Sequence, residues 1–199
     1  TSASAITMAA AGAESSSESP RATDSNERPL RIFSSETEIF ESAAARLGVP
    51  ACVLTFEPHP REFFAPDKAP TRLTSLREKL ELLADYGIER VHLCRFDYRF
   101  AQITAEDFIE RVVARGLGAR WLLAGDDFRF GARRAGDLVM LKRDAPRLGL
   151  EVSALASVMQ DGERVSSTAV RRALAAGELA RAERLLGRAY SISGRVVQG

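Results

Sequence analysis

Three short segments of this 199-residue chain combine residue types that bind phosphate groups or planar rings. The first is Phe56–Arg61, with the sequence Phe-Glu-Pro-His-Pro-Arg, in which Pro58 and Pro60 flank His59. A proline fixes its own φ angle and restricts the residue before it to extended conformations, so we expect His59 to be held in one pose. A rigid loop with an ordinary surface histidine would show the same pattern.

The second segment is Gly125–Gly131, with the sequence Gly-Asp-Asp-Phe-Arg-Phe-Gly. Its glycines allow sharp turns, while Phe128 and Phe130 offer aromatic faces to a ligand. The paired carboxylates of Asp126 and Asp127 accept hydrogen bonds from amino groups or coordinate magnesium. This combination suits a planar heterocycle. A turn that buries both phenylalanines in the core is the alternative.

The third segment is Arg164–Arg172, which leads into a predicted helix ended by Gly177. Three hydroxyl side chains lie at the expected helix start, those of Ser166, Ser167 and Thr168. Next to free backbone N–H groups and the positive end of the helix dipole, such hydroxyls form a phosphate site. Arg171 adds a fixed positive charge in the first turn. Serine and threonine are also ordinary helix caps, which is the alternative interpretation.

Two common nucleotide-binding motifs are absent from the sequence. It contains neither Gly-x-x-x-x-Gly-Lys-Ser/Thr nor Gly-x-Gly-x-x-Gly, so the phosphate site is not a P-loop. The two histidines, His59 and His92, are far apart, and no histidine and cysteine cluster has the spacing of a zinc site.

The elements that must position these segments follow a βαβ pattern from about residue 33 onwards. Predicted strands are Ala51–Phe56, Arg90–Arg95, Trp121–Ala124 and Val152–Ala156. Predicted helices are Glu36–Leu47, Ser75–Tyr86, Thr104–Arg115, a stretch near Asp137–Leu148 disturbed by Pro146, and two short helices within Thr168–Leu186. Helical crossovers imply a mostly parallel, doubly wound sheet with helices on both faces. Ligands bind at the carboxyl ends of such strands, where all three segments fall.

Composition limits the class of partner. The 28 basic and 27 acidic residues give a net charge of +1, which argues against binding nucleic acid or an anionic membrane through bulk charge. No apolar run is long enough for a spanning helix. Cys52 and Cys94 lie in apolar stretches, as reduced cytosolic thiols do, so a cytoplasmic location is expected. The segment Thr1–Pro29 is rich in serine and alanine, which predicts a disordered leader.

The three segments, together with the terminal stretch Leu185–Gly199, resemble the bacterial bifunctional riboflavin kinase/FMN adenylyltransferases, or FAD synthetases. The resemblance covers about Glu41–Gly199. It implies an α/β, Rossmann-like nucleotidyltransferase fold. It also implies transfer of AMP from ATP to FMN, with magnesium, to give FAD and pyrophosphate, in a family that phosphorylates riboflavin as well.

The resemblance also implies roles for individual residues. Catalytic roles would fall on Arg171, Ser167 and Thr168. The ATP phosphates would be held by Ser166, Ser167, Thr168 and Arg171, with Arg164 as an additional ligand. The flavin and adenine pockets would be lined by Pro58, His59, Pro60, Asp127, Phe128 and Phe130. The resemblance assigns no metal ligand within this sequence.

One departure from the family pattern concerns the region before Phe56. Family members begin with a strand, a Phe-Asp-Gly turn and a His-x-Gly-His pair, and nothing like these precedes Phe56 here. We therefore expect a nucleotidyltransferase domain over residues 30–186 that is incomplete at its N-terminus. Residues 187–199 would begin the linker to a kinase domain whose remainder is absent.

Two other functions stay open at this point. A catalytically impaired flavin- or nucleotide-binding remnant would keep the same fold. An adenylyltransferase that acts on another phosphate acceptor would share the phosphate site at the helix start.

Overall fold

The computed structural model describes residues 6–10 and 34–194. Its strands are β1 (Ile6–Ala10), β2 (Ala51–Glu57), β3 (Arg90–Arg95), β4 (Ala119–Gly125), β5 (Glu151–Leu155), β6 (Met159–Gln160) and β7 (Glu163–Arg164). Its helices are α1 (Ser34–Leu47), α2 (Pro60–Phe64), α3 (Leu76–Asp85), α4 (Tyr98–Ala101), α5 (Ala105–Asp107), α6 (Leu138–Asp144), α7 (Ser167–Ala175) and α8 (Leu179–Leu186). A π-helix (Phe108–Gly116) continues α5, and a 3-10 helix (Ala145–Leu148) continues α6.

Five strands form one sheet in the order β3-β2-β1-β4-β5. The pairs β2–β3 and β4–β5 are parallel, whereas β1 runs antiparallel to both of its neighbours, β2 and β4. The prediction of a mostly parallel α/β sheet is therefore confirmed, because four of the five strands run in one direction. The carboxyl ends of β2, β3, β4 and β5 meet at a single edge.

The central strand β1 corrects two expectations. Residues 6–10 were predicted to be disordered, and the first strand of the sheet was predicted to be missing. The structure instead places Ile6–Ala10 between β2 and β4, where it pairs with backbone groups on both sides. Unpaired N–H and C=O groups inside a sheet are costly, so a short, largely apolar segment is stabilised at this place. The rest of the predicted leader lies outside the described residues.

The other predicted strands are confirmed, with shifts of one or two residues at some ends, and so are α1, α3, α7 and α8. The continuous α-helix expected over Thr104–Arg115 is wrong, because after one α-turn the chain becomes π-helical. The helix expected over Asp137–Leu148 narrows to a 3-10 helix from Ala145. Pro146 lacks the N–H that an α-helix would use there. Two short helices, α2 and α4, were not predicted.

The core holds the strand ends in place. Leu54 of β2 and Leu122 of β4 are fully buried, and they belong to one cluster with Ile109, Val113 and Leu141. A second cluster joins Phe40 to Trp121, with ring centroids 6.3 Å apart. A third holds α7 against α8. These contacts fix the sheet edge where the functional segments lie.

Both cysteines are free thiols, as predicted. Burial raises the pKa of the Cys52 thiol and of the Cys94 thiol. Neither thiol therefore has the lowered pKa that is typical of activated cysteine nucleophiles. Among the described helices, none has the length and apolar character needed to cross a membrane.

Candidate functional site

Two cavities lie next to each other where β2 ends. The larger, about 550 Å³, is here called the aromatic cavity. Seven phenylalanines line it: Phe56, Phe64, Phe96, Phe100, Phe108, Phe128 and Phe130. Its basic lining residues are Arg61, Lys68, Arg129, Arg133 and Arg134. An apolar interior with a basic rim suits a flat ring system that carries an anionic group.

The aromatic cavity owes its shape to ring packing and to one tight loop. Phe128 and Phe130 stack at 5.4 Å between centroids, with an angle of 18° between their planes, and Phe108 lies 5.2 Å from Phe130. The backbone of Phe130 exchanges hydrogen bonds with Gly136. A Cβ at Gly136 would clash with the Phe130 ring, so a larger residue there would force the ring to move. The alternative that the phenylalanines enter the core is partly right, because both are buried while their rings still face the cavity.

The smaller cavity, about 130 Å³, is here called the polar cavity. Its charged lining residues are Glu57, Arg61, Glu62, Arg72, Lys79 and Arg171, and its neutral polar ones include His59, Thr74 and Ser167. The volume suits phosphate groups rather than a whole nucleotide. Arg61 lines both cavities, so it marks their junction.

His59 is held in one pose, as the flanking prolines predict. The Nδ1 atom of His59 accepts a hydrogen bond from the Arg61 backbone N–H at 3.1 Å, and the backbone N–H of His59 donates to Glu62 Oε2 at 3.1 Å. These bonds cap helix α2. Burial is the main cause that lowers the pKa of His59. A neutral ring whose Nδ1 accepts carries its proton on Nε2, which makes that atom a donor.

Arg72 joins two carboxylates beside His59. Its Nη2 lies 2.5 Å from Glu57 Oε1 and 2.5 Å from Glu62 Oε2. The Arg72 guanidinium is the main cause that holds the pKa of Glu62 below its usual range, and the two carboxylates raise the pKa of Arg72. The two carboxylates in the wall of the polar cavity thus share the single positive charge of Arg72.

The start of α7 supplies the opposite wall. Ser166 is the N-cap, and its Oγ accepts from the Ala169 backbone N–H at 3.1 Å. The cap alternative is therefore confirmed for Ser166. Ser167 faces the polar cavity, and so does Arg171, whose Nε donates to the Thr71 carbonyl at 2.6 Å. Burial, and to a smaller extent the nearby Arg61, lowers the pKa of Arg171.

The structure brings six of the eleven predicted site residues to the two cavities. The polar cavity contains His59, Ser167 and Arg171, and the aromatic cavity contains Pro60, Phe128 and Phe130. Five line neither cavity, namely Pro58, Asp127, Arg164, Ser166 and Thr168.

Two of those five, Arg164 and Asp127, form an ion pair with each other. Arg164 Nη2 lies 3.0 Å from Asp127 Oδ2 and 3.5 Å from Asp126 Oδ1, while Asp126 also accepts from the Ser157 hydroxyl at 3.1 Å. Asp126 and Asp127, which were expected to contact a ligand, are thus paired with Arg164 of the same chain. Within residues 34–194 no group of three or more histidine, cysteine or carboxylate side chains could hold a metal ion.

Sequence reasoning missed several lining residues. Arg61 follows directly after the proline-flanked histidine, so its position was available as a signal. Arg72 and Lys79 come from the loop before α3 and from α3 itself, and no motif connects them to the other segments. Phe96, Phe100 and Phe108 carry apolar side chains like any core residue, so only the fold reveals that they line the cavity.

A family model and the curated relatives that match this chain carry related descriptions. The family model described as FAD synthetase matches residues 37–169. The bifunctional riboflavin kinase/FMN adenylyltransferase of Escherichia coli (strain K12) is 50% identical over 151 residues, which are 76% of this chain and 48% of that protein. The protein of the same name from Pseudomonas fluorescens is 46% identical over 156 residues, 78% of this chain and 50% of that one.

The chain spans about half the length of these curated relatives. Among solved structures, a macrolide-efflux protein from Streptococcus pneumoniae superposes with a TM-score of 0.67. The two sequences are 24% identical, and the superposed region covers 80% of this chain and 51% of the efflux protein's chain. At this identity the superposition supports the fold alone.

Proposed function

This chain belongs to the FAD synthetase family, and from that premise we propose that it transfers AMP from ATP to FMN. An oxygen of the FMN phosphate attacks the α-phosphorus of ATP, and a new P–O bond forms as the bond to the β-phosphate oxygen breaks. The products are FAD and pyrophosphate. The observation that carries the proposal is that the aromatic cavity and the polar cavity adjoin each other and share Arg61.

The aromatic cavity is proposed to hold the isoalloxazine ring of FMN. Its volume falls in the range of small-molecule sites, and such sites are mostly apolar with a few polar groups that fix orientation. The stacked rings of Phe128 and Phe130 offer flat apolar surface to a planar heterocycle. The phosphate of FMN would then extend towards Arg61 at the junction.

The polar cavity is proposed to hold phosphate groups of ATP. Arg171 and Ser167 would contact them from α7, and Lys79 would add charge from α3. Fixed cations and hydroxyls of this kind position the reactants and stabilise the charge that develops during transfer. No covalent intermediate with the protein is needed.

The predicted residues outside the cavities receive narrower proposals. Thr168 is an exposed residue in the first turn of α7, where it would contact phosphates that project beyond the cavity. Arg164 and Asp127 would contact substrate only by exchanging their mutual ion pair for ligand contacts. Pro58 is proposed to stiffen the loop rather than to touch substrate.

Magnesium is proposed to arrive with the triphosphate, whose charge it would neutralise. Magnesium is commonly bound by one or two carboxylates together with substrate phosphates, rather than by a cage made only of protein. Because the described residues form no such cage, no side chain is assigned to the metal. We further propose a cytoplasmic location, since ATP and two reduced cysteines fit a reducing compartment.

The test is to measure binding and product formation with the 199-residue chain. FMN and MgATP should each bind, and their incubation together should give FAD and pyrophosphate in equal amounts. Riboflavin in place of FMN is the matched control, because it lacks the attacking phosphate and should give no FAD. A folded chain that binds neither FMN nor ATP would contradict the proposal.

A further inference from the structure

We propose that Arg72 is a positioning residue that orients Arg171 for ATP and does not itself contact ATP. Arg72 lines the polar cavity, but its guanidinium is turned towards protein carboxylates. The inference rests on the proposed function, because it assigns Arg72 a part in binding the phosphates of ATP.

Glu57 and Glu62 take up most of the hydrogen-bonding capacity of Arg72. Its Nε and Nη2 donate to Glu62 at 2.6 and 2.5 Å, and its Nη1 and Nη2 donate to Glu57 at 3.1 and 2.5 Å. A guanidinium has five N–H donors, so four of them are already used. Little capacity remains for a phosphate oxygen.

The ion pairs of Arg72 connect separate elements of the fold. Glu57 ends β2 and Glu62 lies on α2, so Arg72 ties the loop before α3 to two separate elements. The planar guanidinium of Arg72 bonds both carboxylates at once, which limits how far the backbone at Arg72 can move away from them. The adjacent Thr71 carbonyl is therefore fixed as well.

Arg171 is bonded to the loop that carries Arg72. Its Nε donates to the Thr71 carbonyl at 2.6 Å, and this bond joins α7 to the loop that Arg72 anchors. Within residues 34–194 the two Nη groups of Arg171 have no hydrogen-bond partner, and the side chain lines the polar cavity. The Thr71 carbonyl thus aims the free end of Arg171 into the cavity, and Arg72 keeps that carbonyl in place.

Loss of Arg72 should therefore act on ATP and spare FMN. Arg171 would lose its fixed orientation towards the phosphates. We expect the Arg72→Gln variant to bind ATP about tenfold more weakly, as for the loss of one charge-assisted hydrogen bond. The capping bond between Glu62 and the His59 N–H does not need Arg72, so the wall that α2 gives the aromatic cavity should persist.

The experiment is a double-mutant cycle on the full chain, with the dissociation constants of ATP and FMN measured by calorimetry. The variants are Arg72→Gln, Arg171→Ala and the double variant, and Arg77→Gln is the matched control. Arg77 is an exposed arginine whose ion pair joins only Glu81, one turn away on α3. We expect the double variant to bind ATP no more weakly than the weaker single variant, while FMN changes less than about twofold and Arg77→Gln changes neither ligand.

Two results would overturn the inference. Losses that multiply in the double variant would mean that Arg72 acts on ATP independently of Arg171. Unchanged ATP binding by a folded Arg72→Gln chain would mean that it has no role. If Arg72→Gln does not fold, Arg72→Lys replaces it, because lysine keeps the charge but lacks the fork that bridges both carboxylates. Its ATP binding should then be weakened and that of FMN retained.

The experiment separates this inference from the proposed function. A parent chain that binds neither ATP nor FMN removes the proposed function, and the role of Arg72 falls with it. A parent chain that binds both ligands, with variants that behave like it, removes only the role of Arg72.

Discussion

The aromatic and polar cavities adjoin each other, yet they are held together by different forces. The aromatic cavity is enclosed by phenylalanine rings that belong to the main core, and Phe128 and Phe130 are only 8% and 6% exposed. The polar cavity is enclosed by ion pairs and single hydrogen bonds among partly exposed side chains, such as the 42% exposed side chain of Arg72. Substitutions of the buried rings of the aromatic cavity should therefore change stability and ligand binding together, whereas substitutions in the polar cavity should change ligand binding with little change in stability.

The largest effect is expected for Phe130→Ala. Removing a buried aromatic ring lowers the free energy of unfolding by about 3 to 5 kcal/mol, and here it also removes a wall of the aromatic cavity. Urea unfolding and FMN fluorescence titration should both show large losses. Phe64→Ala is the matched control, because Phe64 lines the same cavity but is 67% exposed, so its loss should leave stability nearly unchanged. Equal destabilisation by both variants would contradict the comparison.

The next effect concerns the polar cavity. Arg171→Ala should weaken ATP binding by about 1.5 to 3 kcal/mol and leave FMN binding and the unfolding midpoint nearly unchanged. Calorimetric titration of each ligand measures this. Arg172→Ala is the control, because Arg172 is the exposed neighbour of Arg171 on α7 and lines neither cavity. If both ligands were lost to the same degree, the arginine would be serving the fold rather than ATP.

A smaller effect is expected for Gly136→Ala. The added Cβ would lie 2.4 Å from the Phe130 ring, so the ring must move, and such overpacking costs about 1 to 3 kcal/mol. FMN should bind more weakly while ATP binding is retained. At Gly194 an added Cβ would meet no atom within 4 Å, so Gly194→Ala is a control that should behave like the parent. Normal FMN binding by Gly136→Ala would show that the loop adapts easily.

The smallest effect is a pH dependence at His59. Burial lowers its pKa in the folded chain from the ordinary value of 6.5, so the unfolded chain binds the proton more readily. The stability that the neutral ring contributes is complete above pH 6.5 and declines as the pH falls below it towards the lowered pKa. His59→Asn keeps a capping oxygen but cannot titrate. Between about pH 7.5 and 5.5 the parent should therefore lose more stability than this variant, and equal slopes would count against a buried neutral His59.

The sequence predicted those parts of the fold and site that depend on local patterns. Capping residues and apolar periodicity located α3. Phe128, Phe130 and Ser167, which stand next to predicted strand and helix ends, line the two cavities. The role of Arg72 could not be predicted, because its partners come from β2 and α2 and only the tertiary fold brings them together. The pairing of Arg164 with Asp127 has the same origin, since each residue looks like a free ligand when read alone.

Strand β1 was not predicted for the same reason, because its place depends on the tertiary fold. Ile6–Ala10 has weak local signals, and its place is determined by the gap between β2 and β4 rather than by its own propensity. The π-helix after Asp107 has i→i+5 hydrogen bonds, but its nine residues also fit the apolar spacing of an ordinary amphipathic α-helix, so periodicity alone could not reveal it.

The position of β1 also has a consequence for the order of folding. The pair β2–β3 arises from residues 51–95 and the pair β4–β5 from residues 119–155, so each half of the sheet can assemble from neighbouring sequence. Only β1 connects the halves within the described sheet, and its Thr7 pairs with Leu123, 116 positions later. Such long-range closure is slow compared with local assembly. Until it occurs, the inner edges of β2 and β4 are open to strands of other chains, so refolding yield should fall as protein concentration rises.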